Sequence, residues 1–269
     1  MALLEVASGT AASNSASERR IGMLLTSDSG SDREIWQWCP ENVVPFITRL
    51  QIAFTGNEGP LTIDEMTAGR EVVHSATRSF LSTKNLPSID PEIVVFNCTS
   101  ASFCGGLEGE AAIRRSILCA GAPRALTTSG AVIGALTALG AGKIAVGTPY
   151  SAELNPLLQK FLTDAGFEVA SISNTPVRHL VGTSDEQIRA IAAAAFDRHA
   201  SAMFISCAAL RARHLLPELS AQYGIPVISS LQATMWAALA QLGERVVGPD
   251  HILNSLPWPE RLPLSDAKQ

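Results

Sequence analysis

The sequence predicts an α/β protein of two pseudo-symmetric domains, each a parallel sheet flanked by helices. Three observations carry that expectation. Short apolar, β-branched runs alternate with longer stretches of helical patterning, which is the rhythm of βα units. The runs end in small polar residues that suit strand-to-helix turns. After residue 140 the pattern starts again and repeats in the same order, as a two-fold internal repeat would.

Taken in order, residues 1–19 are rich in small polar residues and read as a disordered tail. Arg20 to Leu25 is a strand, and Thr26-Ser27-Asp28-Ser29-Gly30-Ser31-Asp32 is a turn. A helix through Glu34, Ile35 and Trp36 stops near Pro40. Gln51 to Phe54 reads as a strand. Thr62 then caps a helix from Ile63 to Leu81, with Thr62-Ile63-Asp64-Glu65 as a capping box. Ile93 to Phe96 is a buried strand ending in Asn97-Cys98-Thr99-Ser100, and a helix near 107–119 follows. Pro123 to Thr127 is a strand, with Ser129 capping a helix from Gly130 to Leu139.

The second round opens with the strand Lys143 to Gly147. Thr148-Pro149-Tyr150-Ser151 and a helix from Ala152 to Ala165 come next, closed by Gly166. Phe167 to Val169 resumes as a strand, and Thr183-Ser184-Asp185-Glu186 opens a helix running to His199. The strand ending in Ser206-Cys207-Ala208-Ala209 leads to a helix near 210–221. Gly224 to Ile228 is the last strand, and Ser229-Ser230 precede a helix from Leu231 to Leu242. The two final helices end alike, Ala-Leu-Thr-Ala-Leu-Gly at 135–140 and Ala-Leu-Ala-Gln-Leu-Gly at 238–243.

Composition narrows the function. Apolar residues make up 46% and charged residues 17%, a globular balance. A net charge of −5 offers no electrostatic footprint for nucleic acid. No apolar run of about 18 residues predicts a membrane span, and the first residues do not read as a secretory signal. The five cysteines are odd in number and scattered, which fits free thiols in a cytoplasmic protein. Any homo-oligomer would use an ordinary apolar helix face. No zinc-ligand spacing, dinucleotide fingerprint, P-loop or nucleophile elbow occurs, so those metal, cofactor and hydrolase chemistries find little support.

The chemistry is expected where strands end, since ligands of open α/β sheets bind there. Cys98 and Cys207 end equivalent strands in the two halves, so the repeat sets the pair apart from Cys39, Cys104 and Cys119. A helix starting just after each thiol would lower its pKa. Thr99 and Ser100 offer hydroxyls and N–H groups to a carboxylate or an oxyanion, whereas Ala208 and Ala209 offer N–H groups alone. His199 and His214 are placed on helices beside the Cys207 strand, in solvent. A sensor of small acids with a hinged cleft is the alternative of another class, but paired thiols are no requirement for one.

Cys98-Thr99-Ser100-Ala101-Ser102-Phe103, Gly147-Thr148-Pro149-Tyr150 and Ile205-Ser206-Cys207 with Leu210-Arg211 resemble the aspartate/glutamate racemase superfamily. Within it the chain is most similar to the branch holding maleate cis–trans isomerases and arylmalonate decarboxylases, over about residues 20–245. The resemblance implies a first domain of residues 20–140 plus about 228–260 and a second of 141–227, with a small carboxylate substrate in the cleft between them. It implies a cofactor-independent isomerase with Cys98 and Cys207 as catalytic residues. Its substrate-binding residues would be Asp28, Ser29, Asn97, Thr99, Ser100, Tyr150, Ser151 and Ala208. In maleate isomerases the cysteine matching Cys98 adds to the double bond and the one matching Cys207 handles protons. In racemases the two act as opposed acid and base.

The decarboxylases of the branch carry glycine at the position of Cys98, so Cys98 argues against plain arylmalonate decarboxylation. The isomerases carry asparagine in the turn after the first strand, where this chain has Asp28. An ionised Asp28 about 4 Å from a substrate carboxylate would repel it by about 1 to 4 kcal/mol. Asp28-Ser29-Gly30 also resembles the turn with which glutamate racemases meet the substrate's amino group. Capping the next helix is the structural alternative for Asp28.

Overall fold

The computed structural model describes residues 18–50, 63–177, 180–248 and 252–259. Two four-stranded parallel sheets lie one after the other along the chain. The first has the order β2-β1-β3-β4, from β1 (Arg19–Thr26), β2 (Val43–Leu50), β3 (Ile93–Asn97) and β4 (Ala125–Thr127). The second has the equivalent order β6-β5-β7-β8, from β5 (Lys143–Gly147), β6 (Glu168–Ile172), β7 (Ala202–Ile205) and β8 (Val227–Ser229). The internal repeat is therefore real at the level of strand order.

Parallel strands are covered on both faces, so their sequences read as continuous apolar runs. β3 and β7 are buried at every residue. The edge strand β2 differs from expectation. The sequence reading placed a strand at Gln51 to Phe54, which lies outside the described residues, and missed Val43–Leu50. Pro45 hid it: proline lacks a ladder N–H, yet a strand at the sheet edge, paired with β1 alone among the described residues, tolerates one. The expected capping box at Thr62 likewise lies outside the described residues, ahead of α2 (Ile63–Ser79).

Helices α1 (Asp32–Trp38), α4 (Gly106–Cys119), α6 (Asn155–Asp164), α7 (Asp185–Ala195) and α8 (Leu216–Tyr223) link the strands, and a single turn of helix, α3 (Thr99–Phe103), follows β3 directly. At the centre α5 (Thr128–Ala138) packs against its repeat-mate α9 (Ser230–Gln241). Both are buried nearly all round, as helices without a polar face must be. α9 follows β8 in the second sheet yet also packs on β3, β4 and α1 of the first half. The segment after it stays there: Arg19 donates to Leu242 O (3.1 Å) and Asn42 to Glu244 Oε1 (2.8 Å).

Capping is partly as expected. Ser184 and Ser229 each form a capping box, with Gln187 and Gln232. The cap of α5 is Thr127, which accepts the Gly130 N–H at 3.0 Å, and Ser129 sits inside the helix. α7 ends at Ala195, so His199 falls in the turn beyond it, and His214 precedes α8 rather than lying on a helix. Of the helices in the described residues, none is long and apolar enough to cross a membrane.

Candidate active site

The C-terminal ends of β1, β3 and β7 meet in a cleft of about 340 Å³ lined by Thr26, Asp28, Ser29, Asn97, Cys98, Thr99, Ser100, Tyr150, Leu180, Cys207, Ala208 and Ala209. Every site residue expected from the sequence lines it except Ser151. That side chain instead bonds the Glu153 carboxyl, which it holds below the usual carboxylate range. Sequence reasoning did not single out Thr26 or Leu180. Thr26 is the last residue of β1, and strand-end position was the signal that could have found it; Leu180 carried none.

Cys98 is extended (φ −143°) and precedes α3, and Ser100 Oγ lies 3.7 Å from its sulfur. Burial pushes the Cys98 thiol up to about 11, while the Ala101 N–H and the hydroxyls of Ser100 and Thr26 act in the opposite direction. Cys207 has no helix behind it: residues 208–215 are turns and irregular chain, and α8 begins at Leu216. Its backbone is held at φ +93°, a conformation a non-glycine residue adopts at a cost of about 1–3 kcal/mol, usually where function demands it. Burial pushes the Cys207 thiol up to about 12; the Ala209 N–H and the Tyr150 hydroxyl favour its thiolate. The lowered pKa values expected from helix N-termini are thus overturned, because burial outweighs a one-turn helix at Cys98 and no helix stands at Cys207. Both thiols are protonated in the free cleft at neutral pH, with donors already arranged around each sulfur. Among the described residues no cluster of His, Cys, Asp and Glu could hold a metal ion.

Tyr150 reaches between the halves. It is 3% exposed, accepts the Ser206 hydroxyl at 3.1 Å and tilts against Phe103 with ring centroids 5.9 Å apart. Burial raises its phenol well above the ordinary value, and charge on either Cys207 or Cys98 would raise it further. The loop that presents it is fixed by Thr148, whose Oγ1 lies 2.8 Å from both Asn155 Oδ1 and Ser173 O. Thr99 joins the two strand ends: its hydroxyl donates to Ser230 Oγ (3.0 Å) and accepts the Ala208 N–H (2.9 Å). Ser102, whose Oγ lies 2.7 Å from both Cys98 O and Ser129 Oγ, ties the Cys98 turn to α5.

The turn after β1 is held from two sides. Arg49 donates to Ser29 O (2.7 Å) and Thr26 O (3.2 Å), and pairs with Asp32. Asn97 Nδ2 donates to Ser31 Oγ (3.3 Å), itself 2.9 Å from Ser29 Oγ. Asp28 does not cap α1, whose N-cap is Ser31. Its Oδ1 is buried at the cleft with no hydrogen-bond partner among the described residues.

Residues 58–251 match the arylmalonate decarboxylase family. The chain belongs to it. It is 30% identical over 153 residues to the arylmalonate decarboxylase of Bordetella bronchiseptica, a match spanning 54% of this chain and 62% of that enzyme, just under two thirds of its length. It is 28% identical over 171 residues to the maleate isomerase of Nocardia farcinica (strain IFM 10152), spanning 59% and 67%. The fold is shared with unliganded arylmalonate decarboxylase (TM-score 0.73, 24% identity, 88% of this chain and 99% of that one). It is equally shared with a cysteine-to-serine variant of the Nocardia farcinica maleate cis–trans isomerase carrying a covalently bound succinylcysteine intermediate (TM-score 0.71, 21% identity, 88% and 98%).

Proposed function

We propose that the chain is a cofactor-independent isomerase of a small carboxylic acid, acting through Cys98 and Cys207 in the manner of the maleate cis–trans isomerases. The observation that carries this reading is the placement of both thiols in one cleft, with the Tyr150 hydroxyl hydrogen-bonded to Cys207. Cys98 gives its proton to solvent water before attack and recovers one after release, and its sulfur, as the thiolate, adds to one alkene carbon as the π pair moves toward the carboxylate. Cys207 gives its proton to the neighbouring carbon, leaving a saturated thioether. The carbon–carbon single bond rotates, the Cys207 thiolate takes a proton back, and the carbon–sulfur bond breaks to leave the trans alkene. Thr99, Ser100 and the backbone around them would hold the carboxylate, with Tyr150 and Ala208 on the second side. The covalent intermediate named for the Nocardia farcinica neighbour supports this order of events.

In this reading residues 20–140 with about 228–260 form one wall of the cleft and 141–227 the other. Its scattered free thiols fit a cytoplasmic enzyme. Incubation with maleate, followed by proton NMR, tests the function: fumarate should accumulate without any added metal or cofactor. No fumarate at any enzyme concentration would sink the reading. One observation favours a second, racemisation at a carbon bearing an amino or hydroxyl group: the unpartnered Asp28 Oδ1 is an acceptor awaiting a donor. α-Deuterium exchange from D₂O into a single enantiomer of such an acid would select it.

A further inference from the structure

Cys207, held at φ +93°, leads into a segment that is fastened to the other half of the protein. At its near end the Ala208 N–H is held by Thr99. Turns then follow, with the Leu210 N–H on Cys207 O (3.2 Å) and the Leu215 N–H on Ala212 O (2.9 Å). At its far end the Arg213 N–H bonds the Glu34 carboxyl of α1. The Arg213 guanidinium lies 4.7 Å from the centre of the Trp38 ring and donates to Val247 O (3.0 Å), while the Val247 N–H donates to Trp38 O (3.0 Å). Glu34 is 2% exposed, and its Oε1 has no hydrogen-bond partner among the described residues.

We propose that Glu34 is a positioning residue for Cys207: its buried carboxyl accepts the Arg213 N–H and keeps the 208–215 segment seated while neutral, and ionisation, which burial next to an unpartnered Oε1 opposes, draws the carboxyl toward water and loosens the segment. Burial pushes the Glu34 carboxyl up to about 7, against the opposing pull of Arg213, Trp38 and His214. The packed arrangement is therefore the one the neutral acid prefers. The surrounding charges are few. α9 carries no charged side chain, Arg49 of β2 is engaged by Asp32, and Glu244 beyond α9 pairs with Arg19. On the segment itself, besides Arg213 and Arg211, His214 pairs with Asp185 at 2.9 Å.

The inference takes its catalytic meaning from the two-thiol reading, but its test needs no turnover. Cys207 and Cys98 are alkylated with iodoacetamide from about pH 5.5 to 8.5, and each site is quantified by peptide mass spectrometry. Because both thiols titrate far above this range, their thiolate fractions rise in parallel and the ratio of the two rates reports the segment alone. In the native chain the Cys207-to-Cys98 ratio should rise about three-fold or more, centred near pH 7. Glu34→Gln should hold the ratio flat at its low-pH value, and His214→Gln should keep the step. A flat native profile, a step surviving in Glu34→Gln, or a step lost in His214→Gln would each overturn the proposal. The native and His214→Gln profiles decide it should Glu34→Gln fail to fold. Failure of the isomerase reading would show instead as missing fumarate, with the alkylation step intact.

Discussion

The Thr99 hydroxyl accepts the Ala208 N–H at 2.9 Å, so the residue after the first thiol holds the residue after the second. The two halves of the repeat are latched at the cleft itself. The same hydroxyl donates to Ser230 at the start of α9, where the chain returns to the first half. Bridging the halves is a use of Thr99 beyond the carboxylate binding its position in the sequence implied.

Thr99→Val removes an acceptor and a donor from a site where Thr99 is 2% exposed and Ser230 fully buried. Leaving the Ala208 N–H unpaired should cost about 2 kcal/mol, while Thr99→Ser should stay near the native value. Urea unfolding of the pair checks this; equal stability of Val and Ser variants would remove the latch from the account.

The thiols should be slow nucleophiles in the free protein. With Cys98 pushed up to about 11 and Cys207 to about 12, alkylation of Cys98 should climb about ten-fold per pH unit between pH 6 and 9 with no plateau. Both pKa values lie above the ordinary thiol value of 9.0. The folded chain therefore binds more protons than the unfolded one above that value, and stability should fall as pH rises from about 9 toward 12. A plateau in the alkylation rate near neutrality would contradict the buried, protonated state.

Much of this was legible in the sequence, for identifiable reasons. β3 announced itself because a strand buried on both faces must be apolar throughout, and Cys98 and Thr99 could be placed because they follow such a strand, whereas Tyr150 came from the family resemblance alone. The repeat then gave Cys207. What escaped was set by tertiary context. Pro45 disguised an edge strand, and Arg49, which fixes the Asp28 turn from β2, was hidden with it. No local pattern encodes the positive φ of Cys207 or the contact of residues 208–215 with α1 through Arg213 and Glu34.

Away from the cleft, Glu110 of α4 is fully buried, takes Arg114 Nε on both oxygens at 2.9 Å and accepts the hydroxyl of Thr127, the cap of α5, at 2.6 Å. Glu110→Ala strands Arg114 and should destabilise the fold by about 3 kcal/mol. The ratio of alkylation at the two cleft thiols should stay unchanged. Chemical denaturation and peptide mapping of the variant check both halves of this statement.

Gly147 ends β5 three residues before Tyr150, and a Cβ there would meet Ile191 Cγ2 at 2.8 Å and Ile191 O at 3.3 Å. Gly147→Ala must push α7 outward, with a loss of about 1–3 kcal/mol. Since the shift begins beside the Thr148 network, turnover should fall by more than the Glu110 variant's. Thermal melts with parallel maleate assays would measure both effects.

In the proposed mechanism Cys98 forms and breaks the bond to substrate. That role is tested most directly by following maleate with Cys98→Ala. No fumarate should form above the uncatalysed background, with the fold intact by circular dichroism. Turnover by Cys98→Ala at a rate near that of the native chain would contradict it.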